Sequence, residues 1–336
     1  MEVKNKKERL YAIDVARAIC IVLVASYHYY PEDAPLWHDN IQKFLITFRM
    51  PFFMFVSGYV YAYIYSNKNV NYLDFVKTKF LRLIIPYFFV SCLIITIKLL
   101  TQGSGEVDHP VTMYSYVEML WRPSAGTFLW FIYVLFIMFM IVPLFKTKQS
   151  RLCLFFLTLI LALSNVQFPE LFSLYKLKSM FVYYMFGIVV CEYFEIRTFF
   201  KKIPFVIVFV SFLVISYYNV QGSLFEFGKL ANVIVLPLLG IGTMLHFAKF
   251  ISKYEKVRQY SVVVASATYV IYLLHTTFMG FTKMLLRKIP FLVDPNETIG
   301  YLLGTIIVIF VGVVGPVMAY FVIKRYRLTR FLFGLK

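Results

Sequence analysis

The chain has 336 residues, of which 60% are hydrophobic and 20% aromatic, and a mean hydropathy of +0.74. This composition excludes a soluble globular domain, because apolar stretches of about 20 residues recur from end to end. The net charge of +17 suggests nucleic acid at first sight. However, no basic stripe is interleaved with exposed aromatics, so nucleic-acid binding is not expected.

In chain order, ten apolar stretches predict ten transmembrane helices, at about 10–30, 43–65, 83–101, 127–145, 152–166, 179–195, 203–219, 230–248, 261–283 and 298–323. The expected fold is an all-α polytopic membrane protein. Residues 1–9 form a charged tail, 10–330 a single transmembrane domain and 331–336 a second tail. The loop at 31–42 is polar. The longest loop, near 102–126 with Asp108, His109 and Glu118, is the best candidate for an outer segment over a substrate.

Most of the 34 basic residues fall in alternate loops. They group at 4–9, at 68–82, at 146–151 (including Arg151), at 197–202, at 249–258 and at 324–336. The positive-inside rule then places both termini in the cytoplasm of a multi-pass protein of the cell membrane. Cys20, Cys92, Cys153 and Cys191 lie in or beside apolar spans, which suggests neither a disulfide framework nor a metal site. The first apolar run is interrupted by Asp14 and Arg17 and lacks a small-residue cleavage site, so it is read as a retained helix rather than a signal peptide.

That first helix carries the strongest chemical signal. Asp14, Arg17 and His28 project from one face, with Arg17 and His28 separated by about 16 Å along the axis. Ionisable groups within a span usually face a cavity or a reaction path. A neutral imidazole could take a proton from a hydroxyl or carry an acyl group itself. Arg17 could orient an anionic donor or pair with Asp14. The structural alternative is a buried Asp14–Arg17 ion pair and a histidine satisfied at the lipid–water boundary.

Three further segments fit the same picture. The run from Arg49 through Pro51 to Ser57-Gly58 opens the second span, where Ser57-Gly58 would let another helix approach closely. Lys77, Lys79 and Arg82 lead into the third span and could hold phosphates or serve as a topology anchor. Thr268, Tyr272 and His275 share one face of the ninth. There, His275 could simply bond Tyr272 or a backbone carbonyl.

Taken together, the Arg17-x10-His28 spacing, Arg49-Met50-Pro51-Phe52-Phe53, the Gly126 to Phe131 segment with Trp130, and Tyr269 to His275 resemble the membrane acyltransferase-3 family, in particular its fucose 4-O-acetylase type. The resemblance implies a ten-helix enzyme that takes acetyl from cytoplasmic acetyl-CoA, with no permanently bound cofactor and no metal. The acceptor it implies is a sugar hydroxyl of a surface polysaccharide or lipid-linked glycan.

Residue by residue, the resemblance makes His28 and Arg17 the catalytic pair, and Asp14 joins them from the same helix face. Lys79, Arg82 and Lys77 become the donor-binding set, although Lys79-x-x-Arg82 stands where the family commonly has Arg-x-x-Arg and so loses one bidentate fork. The reading of the residues themselves adds Arg49, Ser57, Trp130, Tyr272, His275 and Glu118 as acceptor contacts or their supports. Some members carry a fused extracytoplasmic esterase-like domain. None is seen up to Lys336, so direct transfer or hand-over to a separate extracytoplasmic transferase is expected. An exporter or flippase of a polysaccharide precursor is the rival reading, which the absence of an inverted repeat disfavours.

Overall fold

The computed structural model describes residues 11–31, 33–66, 68–104, 110–194, 204–222 and 228–335. The expected tail at 1–9 lies outside the described residues. So do 105–109 of the expected outer loop, with Asp108 and His109, and the basic positions at 197, 201, 202 and 336.

Among the described residues the chain is helical, without strands. Seven helices among the described residues are long and apolar enough to cross a bilayer. They are the Leu36–Tyr65 stretch, Tyr72–Thr101, Thr127–Leu144, Leu171–Tyr193, Gly228–Ile251, Glu255–Leu286 and Thr298–Ile323. Shorter helices of 17, 16 and 16 residues, Tyr11–Tyr27, Lys148–Leu163 and Phe205–Val220, occupy the remaining three apolar stretches. We label the helices α1 (Tyr11–Tyr27), α2 (Leu36–Ile46), α3 (Arg49–Tyr65), α4 (Tyr72–Thr101), α5 (Thr127–Leu144), α6 (Lys148–Leu163), α7 (Leu171–Tyr193), α8 (Phe205–Val220), α9 (Gly228–Ile251), α10 (Glu255–Leu286) and α11 (Thr298–Ile323).

Three expectations need correction. The segment at 31–42 is not all loop, because α2 begins at Leu36 after Pro35, whose fixed φ suits a helix entry. The burial of His38 and Gln42, one turn apart on one face, holds this helix against the bundle. The third span begins about ten residues early, at Tyr72, where the Asn71 side chain accepts from the backbone N–H of Leu73 and Asp74. Lys77, Lys79 and Arg82 therefore lie within the helix and not ahead of it.

Arg151, counted above among the loop cations, is buried. Its Nε donates to Glu192 at 3.0 Å, its Nη2 pairs with the same carboxylate at 2.8 Å, and its Nη1 donates to the Phe145 and Lys146 carbonyls. A charge this deep is tolerated because every donor has a partner.

The tightest contact lies between α3 and α7. A Cβ on Gly58 would stand 1.9 Å from the Tyr184 carbonyl oxygen, and one on Gly187 would stand 2.0 Å from the Phe55 carbonyl oxygen. The two glycines thus let the backbones touch from both sides, as small residues do between membrane helices. Around this pair, α1 packs against α3, α9 and α10, and α10 against α11. Arg258, near the start of α10, stacks on Tyr11 at the start of α1, so the two helices run together and bring His28 and His275 to the same end.

Candidate functional site

His28 follows the last residue of α1, and its backbone N–H closes a turn onto the Ala25 carbonyl at 2.9 Å. The chain cannot continue as helix because Pro31 follows shortly and restricts the residue before it. The turn is pinned from outside by α2. Gln42 Nε2 donates to the Ser26 and Tyr29 carbonyls and to His38 Nε2 at 2.9 Å. His38 Nε2 is thus the acceptor of the ring, and its Nδ1–H donates to the Tyr301 hydroxyl at 2.8 Å. Tyr29 and Trp37 both stack on the His38 ring. The half-buried His28 is therefore held on a rigid turn.

Behind His28 lies His275 of α10, with ring centroids 5.0 Å apart. His275 is fully buried, and its Nδ1 faces the carbonyls of Ile271 at 3.0 Å and Tyr272 at 2.8 Å. Carbonyls only accept, so the ring proton sits on Nδ1, and Nε2 is left as a buried lone pair with no partner among the described residues. Phe128 packs edge-on against both imidazoles, at 5.6 Å and 5.1 Å. The Tyr272 hydroxyl donates to the Phe128 carbonyl and so ties α10 to the first turn of α5.

Arg49 opens α3 at the same end. Its Cζ lies 3.2 Å from the centre of the Tyr27 ring, a cation–π contact adjacent to His28. The side chain is buried, and its Nε and Nη1 have no hydrogen-bond partner among the described residues. Lys176 of α7 is close enough to feel the Arg49 charge and stands over the Trp130 ring at 5.7 Å. One buried cation, Arg49, thus stands beside the His28 turn. The start of α7 is aimed by two consecutive residues with positive φ, Phe172 (50°) and Ser173 (57°), a costly conformation held by the Phe172 N–H donating to the Trp121 carbonyl.

The other expected residues lie elsewhere. Arg17 and Asp14 pair at 3.8 Å on α1, and the Arg17 side chain remains 35% exposed. Lys79 lies over the rings of Phe139, Phe75 and Tyr65, while Lys77 is exposed and Arg82 half-buried. Between Lys79 and the rest of α4 the backbone makes a π-helical turn, Phe80–Ile84, and the Tyr269 hydroxyl donates to the Leu83 carbonyl there at 2.9 Å. Ser57 donates to the Phe53 carbonyl of its own helix at 2.8 Å. Glu118 pairs with Arg122, whose other nitrogen reaches Glu170.

His38, Gln42, Tyr301 and Lys176 were not expected in the site. The i, i+4 spacing of His38 and Gln42 was available as a signal, but the polar 31–42 segment gave no reason to read it as a helix. An apolar cavity of about 340 Å³, lined by Phe55, Phe186, Val190 and Leu245, lies apart from His28 and holds none of these groups.

The apolar helices define a multi-pass membrane protein, with His28 and His275 meeting at one end of α1 and α10. Residues 10–321, nearly the whole chain, match the acyltransferase domain of the acyltransferase-3 family, and the chain belongs to that family. It is therefore a membrane acyltransferase. It matches no curated protein and no solved structure.

Proposed function

We propose that the protein is an O-acetyltransferase of the cell membrane that moves acetyl from cytoplasmic acetyl-CoA to a sugar hydroxyl of a surface polysaccharide or lipid-linked glycan. The carrying observation is the half-buried His28 ring on its pinned turn, beside a buried Arg49 with two unpartnered nitrogens. A reacting carbonyl oxygen placed there would meet donors that need no reorganisation.

In this reading ten helices cross the bilayer with both termini in the cytoplasm, and the donor enters from the Arg17 end. Arg82, Lys79 and Lys77 attract its phosphates, and Arg17 guides the pantetheine arm along α1. His28 then removes the proton of the acceptor hydroxyl as its oxygen bonds the acetyl carbon. The carbon–sulfur bond breaks, and the proton passes to the departing thiolate. Alternatively, a His28 nitrogen attacks the acetyl carbon and expels coenzyme A as its thiol, and the acceptor oxygen then takes the acetyl from the ring as the hydroxyl proton passes to the imidazole. Labelled acetyl trapped on His28 without acceptor selects the second route.

The test is the ester-linked acetyl content of surface glycans, read by NMR before and after mild base. Cells with the intact protein, a deletion and His28→Ala at matched levels are compared. Acetyl lost in both altered strains with glycan abundance unchanged is the expected result. Glycan missing from the surface in the deletion but intact in His28→Ala would replace the enzyme with an exporter.

A further inference from the structure

Two histidines meet at the site, and their burial separates their roles. His28 is half-buried and reachable, whereas His275 is fully buried. No acceptor hydroxyl can touch His275 without displacing the rings around it. Its Nδ1 proton is fixed by two carbonyls of its own helix, which turns the Nε2 lone pair away from α10. That lone pair is buried without a partner among the described residues, and an unmet buried acceptor is unfavourable unless something supplies a donor. The ring neighbours of His275 are Phe128, Tyr272 and His28. Phe128 has no donor to give, and the Tyr272 hydroxyl is committed to the Phe128 carbonyl. Arg49 is near enough to feel electrostatically, but its guanidinium is stacked on Tyr27. The His28 ring is the one neighbouring ring with a nitrogen to offer, its centroid 5.0 Å from that of His275, and catalytic hydrogen bonds are often long before substrate binds.

We propose that His275 is a positioning residue for His28, its Nε2 accepting the N–H of one His28 nitrogen so that the other presents its lone pair to the substrate. This rests on the acyltransferase reading of His28. It assigns to a neutral imidazole, held by backbone carbonyls, the orienting task that a carboxylate performs in a serine-hydrolase triad. Substrate therefore meets a single His28 tautomer instead of a mixture.

Two substitutions separate orientation from packing. In His275→Gln, the amide N–H can still donate to the Ile271 and Tyr272 carbonyls while the amide oxygen accepts from His28. His275→Leu fills space but accepts nothing. The protein, labelled with 15N-histidine in detergent micelles, has five histidines, and His28→Ala assigns the His28 signals by difference. The intact protein and His275→Gln are expected to show one His28 tautomer, and His275→Leu a mixture of two. Ester-linked acetyl formation is expected to stay within about threefold of the intact protein in His275→Gln and to fall roughly a hundredfold in His275→Leu at matched membrane levels.

One unchanged His28 tautomer in His275→Leu overturns the proposal, as does full acetylation by that variant. If His275→Leu does not fold, a mixture of tautomers in His275→Gln or a hundredfold loss there overturns it equally. Full acetylation by His28→Ala would instead remove the acyltransferase reading of His28, an outcome that the tautomer spectra report separately.

Discussion

The guanidinium carbon of Arg49 sits 3.2 Å from the centre of the Tyr27 ring, one residue before His28. Because the two residues come from different helices, the stack fixes the end of α1 against the start of α3. It also leaves Nε and Nη1 of a permanent cation buried and unpaired. A lysine has the charge but neither the plane nor the fork. Arg49→Lys and Arg49→Gln are both expected to lower ester-linked acetyl roughly tenfold or more, measured on surface glycan at equal protein levels. Full activity in Arg49→Lys would mean that a point charge alone suffices.

Gln42 holds the His28 turn through three contacts, to the Ser26 and Tyr29 carbonyls and to His38. Gln42→Leu keeps the volume and removes the two amide N–H groups that serve these three acceptors, leaving buried acceptors unmet at about 1–3 kcal/mol. Expected are a lower unfolding temperature of the purified protein and reduced acetylation. Tyr301→Phe, which only unpairs the His38 Nδ1–H, should do the same to a smaller extent. Activity that survives in Gln42→Leu despite a clear loss of stability would separate the clamp from catalysis.

The Arg151–Glu192 pair has side chains only 9% and 2% exposed. Removing one member strands a buried charge, so Arg151→Met or Glu192→Gln alone should destabilise the protein by about 3–5 kcal/mol. The double replacement Arg151→Met with Glu192→Leu should recover much of that loss. A double-mutant cycle on thermal unfolding checks this, and additive losses would contradict it.

Gly58→Ala and Gly187→Ala each put a methyl group into the backbone of the facing helix. Neither backbone can yield as a side-chain tip would, so each change should cost about 1–3 kcal/mol or more. Gly103→Ala is the control, since a Cβ there meets nothing within 4 Å. The comparison is of unfolding temperatures in one detergent.

By itself the sequence determined the material and the address of the chemistry. Its apolar runs are long enough that only helices could satisfy their backbones in lipid, and a helix occupies each of the ten expected stretches. Charged residues in a span are costly enough to be conspicuous, which is why Arg17, His28 and Arg49 could be picked out without coordinates. Boundaries were less legible where polar residues belong to helices. Lys77 and Lys79 lie inside α4, and His38 and Gln42 inside α2, because capping and burial against neighbours outweigh a polar composition.

Only the tertiary structure decided which of these residues meet. His28 and His275 are 247 positions apart, and nothing in either segment specifies the other. They come together because α1 and α10 pack side by side from Tyr11 and Arg258 upward. The same packing brings Arg49 of α3 onto the Tyr27 ring beside His28. Likewise, Arg151 reads in the sequence as one more loop cation and becomes a buried ion-pair partner once Glu192 is beside it. A side chain's chemistry is local, but burial and partners are set by distant segments, so role follows from the fold.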